Sequence, residues 1–434
     1  MALKEDQIIA LAPDASSAKS GKELAVASKW VLRGASEKAL WGHCQGSGKL
    51  PYQTQVDLLN IAFKCSCPSR KFPCKHGLGL MLLYSREPGS FTKGAEPDWV
   101  LDWLNKRSEK ATKKTETESK PVDAAAQAKR VESRAKKVTG GIDDLQIWLK
   151  DLIRNGLVNL PERAYEYWQT PAKRMIDAQA PGLASMLKSL GNINYFRDTW
   201  KAEVLDQLTR IYLVSEAYKN IDALPDDISQ EVRNQIGFIQ SKEELAALPG
   251  IGDTWLVLAR TIEEDDQLTI ERNWLYGLDS KRFALVLQFF VNRQVPDYNL
   301  LPGTSIEGEL VFYKGILPLR AYIKQQQKVG PFYVPDINAN ISQTLECFSG
   351  SVVQNPFLDW IPIIINDVRF VSDGNIWFLV DDAGDGIRVK CSEAKAMKLL
   401  AVSGGKPFKI FALTNGEEAD ALAAWVGTNY IPLP

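Results

Sequence analysis

The sequence predicts an α+β protein of several domains: a small N-terminal module, a helical middle and a β-rich C-terminal region. Three observations carry that expectation. Three cysteines and a histidine crowd into residues 65–76 of a chain that has only 6 cysteines and 2 histidines. Apolar residues then recur at helical spacing from about 142 to 248. From Trp255 the period shifts to two, as in half-buried strands. A chain of 434 residues has room for two or three cores, and 45% hydrophobic with 24% charged residues is ordinary for a globular protein.

The elements follow in order. Residues 21–34 put Ala27, Trp30, Val31 and Gly34 on one stripe and predict a helix. Gly42 to Lys49 is a glycine-rich turn. Tyr52, Thr54, Val56 and Leu58 alternate with polar residues and predict a strand, and Ile61, Phe63 and Cys65 a second short one. Gly77 to Tyr84 is apolar nearly all round, which predicts a buried helix. Residues 105–140 are rich in Lys, Glu, Thr, Ser and Ala and contain no aromatic residue, the composition of a charged linker, with good helix formers from Ala124 to Lys137.

Leu145, Trp148, Leu149 and Leu152 mark one helix of the middle region, and Leu205, Leu208, Ile211 and Tyr212 another; Pro161, Pro171, Pro181 and Pro225 are expected near first turns. Strands are expected at Trp255–Leu258, Ala284–Leu287, Glu309–Tyr313 and Ile376–Val380, with Asp381–Gly386 as a hairpin connection. The predicted division is residues 1–104, a linker over 105–140, a helical region over 141–250, and a single β-rich domain over 251–434.

Cys65-Ser66-Cys67, six intervening residues, then Cys74-Lys75-His76 is a metal-ligand pattern. In an extended strand residues i and i+2 point to one side, so Cys65 and Cys67 can present both thiolates to one ion. Pro68, Ser69 and Pro73 bend the chain back, and Cys74 and His76 supply the second pair. Zinc favours four N/S ligands, and a closed set leaves no position for substrate, so one structural Zn²⁺ is expected. Lys64, Arg70, Lys71 and Lys75 flank the thiolates and offset their charge. Removing zinc is expected to melt residues 42–90 and leave the C-terminal region folded.

Cys-x-Cys-x₆-Cys-x-His resembles the SWIM zinc finger, a ββα module of some bacterial proteins, chromatin remodellers and plant transposases. Trp41-Gly42, Gln45-Gly46-Ser47-Gly48, Pro51-Tyr52 and the run from Cys65 to His76 are similar to a bacterial branch of that family, and the finger spans about residues 40–85. Arg272-Asn273-Trp274-Leu275 and Phe283 to Leu287 also look like the large bacterial SWIM proteins. The resemblance implies binding to DNA or proteins, and association with a MoxR-type AAA+ ATPase or a von Willebrand A-type protein.

Other motifs carry less. Gly42 to Lys49 fails as a P-loop, because five residues separate Gly42 from Gly48 and Leu50 stands where Ser or Thr would hold magnesium. His43 and Cys44 read as a turn residue and a buried thiol. Leu248-Pro249-Gly250-Ile251-Gly252 reads as a lead-in loop to the β-rich region in preference to a helix-hairpin-helix turn. With His76 assigned to zinc, no Ser/His/Asp or Cys/His constellation stands out, and a non-catalytic protein is expected.

The net charge of −1 conceals a step: residues 1–137 hold 24 Lys/Arg against 15 Asp/Glu, and the remainder 28 against 38. The N-terminus lacks a secretory apolar run, no stretch approaches the ~18–20 apolar residues of a membrane span, and Ile361–Ile365 reads as a buried strand. Cysteines clustered in this way suit a reducing compartment, so the cytoplasm is expected. Two functions compete: a protein-interaction adaptor, and a DNA-binding protein using Lys64, Arg70, Lys71, Lys75 and the linker lysines on phosphates.

Overall fold

The N-terminal unit begins with helices α1 (Glu5–Ile9) and α2 (Ala15–Leu24), followed by strands β1 (Trp30–Ala35), β2 (Ala39–Cys44), β3 (Tyr52–Asp57) and β4 (Ala62–Cys65). Helix α3 (Lys75–Arg86), the short β5 (Thr92–Lys93) and helix α4 (Asp98–Thr117) complete it. The computed structural model describes the chain except residues 1, 2, 4, 10, 47–49, 70, 118–123, 162, 163, 239, 266, 267, 292–297, 375 and 434. The sheet runs β4-β3-β2-β1-β5, and α3 lies on it with His76 through Leu83 all buried. Glycines let α2 and α3 touch: a Cβ on Gly79 would sit 2.8 Å from Leu24 Cβ and 3.2 Å from the Gly21 carbonyl.

The helical region comprises α5 (Ala124–Asn155), α6 (Ala164–Asp177), α7 (Pro181–Ser189), α8 (Trp200–Lys219), α9 (Asp226–Ile236) and the short α10 (Lys242–Ala246). It has its own core, from Val138, Ile142 and Leu145 through Trp168 and Leu208 to Ile236. Trp168 is fully buried, and its indole N–H donates to the Tyr195 hydroxyl at 2.8 Å, which in turn donates to the Leu190 carbonyl at 3.0 Å.

The β-rich region is two structures. Strands β6 (Ile251–Asp265), β7 (Leu268–Gly277), β8 (Phe283–Val291), β9 (Ser305–Phe312) and β10 (Arg320–Gly330) form a closed barrel in the order β10-β8-β7-β6-β9. Strand β6 is shared: Ile251 to Leu256 pair with β9, Trp255 to Asp265 pair with β7, and a bulge falls between Val257 and Ala259. Three strands in a meander with the fourth beside the first make a Greek key. Strand β10 closes it, antiparallel to β9 and parallel to β8, which gives the architecture of an OB barrel.

Beyond the barrel come α11 (Ile341–Gln354), β11 (Ile361–Asp373), β12 (Ile376–Val380), β13 (Gly386–Val389), α12 (Glu393–Ser403), β14 (Phe408–Thr414), β15 (Glu418–Val426) and β16 (Asn429–Pro432). The sheet order is β13-β12-β11-β14-β15-β16, with a further parallel β13–β15 pairing.

The cores do not follow the predicted domain boundaries. Leu78, Leu80, Leu82 and Leu83 of α3 belong to the same buried cluster as Trp255, Val257, Leu275, Ile306 and Ile323 of the barrel. Leu300 and Leu301 belong to it too, and beside them the Asn299 amide donates to the Ile61 carbonyl and the Gln7 amide to the Gly303 carbonyl, each at 2.5 Å. The outer face of the barrel (Leu258, Trp274, Tyr276) packs on Ile364, Phe411 and Trp425 of the last sheet. The N-terminal unit and the barrel therefore share one core, and residues 251–434 are a barrel plus a separate sheet.

Three further expectations are corrected. The helix expected over 21–34 ends at Leu24, and Trp30–Ala35 is strand β1, paired with β2. The expected linker over 105–140 is helical through Thr117 and again from Ala124; the second helix is anchored by Val138, Ile142 and Leu145 in the bundle and continues upstream on good helix formers. Pro171 lies inside α6, whereas Pro181 does open α7. The lead-in loop holds: α10 ends at Ala246 and β6 starts at Ile251. The Asp381 carboxylate accepts the N–H groups of Ala383 and Asp385 in the predicted turn between β12 and β13.

Candidate metal centre

Strand pairing builds one half of the site. Antiparallel β3 and β4 put Thr54 opposite Cys65, and the backbone N–H of Ser66 donates to the Gln53 carbonyl at 2.9 Å. Cys65 ends β4, and Cys67 follows two residues on with its thiol on the same side. Helix α3 builds the other half: Cys74 is its N-cap residue, in extended conformation, and His76 sits in the first turn. Phe63 and Phe72 meet edge-on at 6.1 Å between centroids, and Tyr52 lies 5.0 Å from the His76 ring.

The four predicted ligands come together. One ligand atom each from Cys65, Cys67, Cys74 and His76 lie within 4.8 Å of one another. His76 Nδ1 is 3.7 Å from Cys65 Sγ and 4.0 Å from Cys74 Sγ. Zn–S and Zn–N lengths place ligand atoms roughly 3.5–3.8 Å apart around a tetrahedral ion. Donor set and spacing both fit zinc.

The thiols are prepared for a cation. Cys65 is pulled down to about 4, first by a hydrogen bond from the Cys74 thiol and then, against burial, by His76, Thr54 and the Cys67 N–H. That same bond, with burial, pushes the Cys74 thiol far up. Burial raises Cys67. One proton held between two sulfurs belongs to the pair, and a bound divalent cation takes its place. Backbone N–H groups of Cys67, Ser69 and Gly77 are directed at the sulfurs of Cys65, Cys67 and Cys74.

Cys44 is buried and outside the cluster, its thiol pushed up to about 11 by burial. His43 is also outside it, with Nε2 buried and without a hydrogen-bond partner among the described residues, and its ring 5.7 Å from Trp99. Of the predicted contact residues, Lys64, Lys71 and Lys75 are exposed, and Arg70 lies outside the described residues. Lys71 is partly committed, since its ammonium is 2.7 Å from Asp14. Sequence reasoning missed that ion pair and the Thr54 hydroxyl, which lies 3.2 Å from Cys65 Sγ. The second was within reach of the β3 pattern once its register against β4 is known.

Two family models match the chain: the SWIM zinc finger over residues 55–85, and the SWIM-associated four-helix bundle domain over residues 133–236. The first covers β4, the ligand loop and most of α3; the second runs from within α5 to the end of α9. No curated protein matches it. Among the described residues no helix is long and apolar enough to cross a membrane. The chain thus carries a SWIM zinc finger, with Cys65, Cys67, Cys74 and His76 as its ligand cluster, and a SWIM-associated four-helix bundle domain.

Proposed function

We propose that the chain is a non-catalytic, cytoplasmic adaptor in which one structural Zn²⁺, held by Cys65, Cys67, Cys74 and His76, fixes a protein-binding surface. The observation that carries this reading is the burial of α3, where every residue from His76 to Leu83 is buried. A DNA-reading finger lays its helix in the major groove. Here the corresponding helix forms part of the core shared with the barrel. Four N/S ligands close the coordination sphere, which suits a structural ion and leaves no place for substrate.

The resemblance to large bacterial SWIM proteins nominates a MoxR-type AAA+ ATPase or a von Willebrand A-type protein as the partner. The test is affinity capture of the zinc-loaded chain with mass spectrometry, then direct binding of the purified partner. Capture that survives with Cys74→Ala in metal-free protein would remove the finger from the interface.

A second reading has one observation in its favour: Lys64, Lys71 and Lys75 are all exposed around the ligand loop. If they neutralise phosphates, duplex affinity falls with salt at a log–log slope of about −0.9 per contact. A mobility shift in duplex DNA that disappears on changing the three lysines to Ala would decide for DNA.

A further inference from the structure

The barrel carries a second surface that the adaptor reading does not use. Alternation along β8 is clean: Ala284, Val286 and Gln288 are buried inside, while Leu285, Leu287 and Phe289 face out. On the neighbouring β7, Trp274 and Tyr276 also face out, but the last sheet covers them. Past that contact the described residues of the face are half-buried or exposed. Phe289 pairs with Ile270 and is 49% exposed, and Leu287 pairs with Arg272.

One guanidinium group borders this face and lies over aromatic rings: Arg320 Cζ is 4.5 Å from the Tyr313 ring centre and 5.9 Å from that of Phe289. It has no carboxylate partner among the described residues, whereas Arg272 is held by Glu263 at 2.5 Å. A guanidinium on rings, unneutralised and beside an exposed aromatic, suits a ligand that offers flat π-faces and negative charge together.

We propose that the outer β7–β8–β10 face of the barrel binds single-stranded nucleic acid, with a base stacked on Phe289 and a phosphate taken by Arg320. The strand-2 and strand-3 face is the oligonucleotide-binding face of OB barrels, and β7 and β8 hold those positions here. Stacking tolerates any base, so the face selects for unpaired strands and against duplex. The proposal uses neither the finger's lysines nor its protein partner.

The test uses the full zinc-loaded chain and a fluorescein-labelled oligothymidylate of about 15 nucleotides, within the range one OB barrel covers, read by anisotropy at about 50 mM salt. Saturable binding is expected, at least roughly tenfold weaker for the same length as duplex, whose bases are already stacked. Phe289→Ala should weaken it by roughly 5- to 150-fold, and Phe289→Tyr should restore it. Arg320→Gln should flatten the salt slope by about 0.7, one phosphate contact to a single strand. The Lys64→Ala, Lys71→Ala, Lys75→Ala triple variant should bind as the parent does.

Absence of binding, equal affinity for duplex, or indifference to both Phe289→Ala and Arg320→Gln would overturn the proposal. So would loss of binding in the lysine variant alone, which assigns the contact to the finger. A poly-glutamate peptide that displaces the oligonucleotide at similar concentration would reassign the face to an acidic protein.

Discussion

Removing the metal should loosen the barrel as well as the finger, contrary to what the sequence alone suggests. The perturbation is chelation under reducing conditions, or Cys74→Ala. Structural zinc contributes about 10–16 kcal/mol of apparent folding free energy in small fingers, as much as the ~5–15 kcal/mol net stability of a whole domain. Without the ion, the first turn of α3 loses its tie to β4. Leu78, Leu80, Leu82 and Leu83 are all within 1% of complete burial. At about 1.5–3 kcal/mol each, their burial stabilises the shared core by roughly 6–12 kcal/mol. Those leucines share a cluster with Trp255, Val257 and Ile306, so a displaced α3 withdraws part of the barrel's own support.

Hydrogen exchange with mass spectrometry reads the outcome segment by segment. On chelation, protection should fall in peptides covering 75–86 and also in those covering 251–258 and 305–312. The bundle, whose core is separate, should keep its protection. The reasoning fails if the finger peptides exchange freely while the β6 and β9 peptides stay as protected as before.

Two smaller perturbations probe the same unit. Gly79→Ala improves helix propensity but places a methyl 2.8 Å from Leu24 Cβ, so overpacking should win and destabilise the finger–barrel unit by about 1–3 kcal/mol, visible as a lower urea midpoint. Asp14 caps α2 through the Ser17 N–H at 2.7 Å and pairs with Lys71, and the Lys71 ammonium holds its carboxyl down at about 2, below the ordinary 3.8. A depressed carboxylate contributes stability above its unfolded pKa and loses it as pH falls through the folded one. Parent protein should therefore lose protection in α2 between about pH 4 and pH 2, and Asp14→Asn should flatten that dependence in exchange measurements.

The ligand set was legible because its logic is local. Two thiols at i and i+2 on a strand and a thiol and imidazole at i and i+2 across a helix start need no long-range information. The bundle was legible for a similar reason, since Leu145, Leu149 and Leu152 repeat at one period over a long window. Trp30 and Gly34 show where that logic runs out. Four residues apart, they satisfy both a helical stripe and a strand face, and the exposed Val31 and Leu32 between them, with β1 paired to β2, decide for the strand. Composition likewise marked 105–140 as unable to build a core, which is true of its exposed faces. Its good helix formers from Ala124 to Lys137 did mark the upstream part of the helix that Val138 and Ile142 anchor, but not the helix that runs through Thr117.

Periodicity identifies a buried face but not what buries it, and that is why the partition into domains was misjudged. Alternation in Trp255–Leu258 gives two apolar faces, and the structure sends them to different neighbours: Trp255 and Val257 to the barrel interior and the cluster it shares with α3, Leu256 and Leu258 to the last sheet. A strand buried on both sides by different modules welds them, so a division that sets residues 1–104 apart from 251–434 cuts through a core. The metal follows the same rule. Its four ligands lie within twelve residues of sequence, yet the helix they hold supports strands more than 170 residues away. A metal held there should therefore act over the barrel as well as the finger, and its removal should be felt on both units.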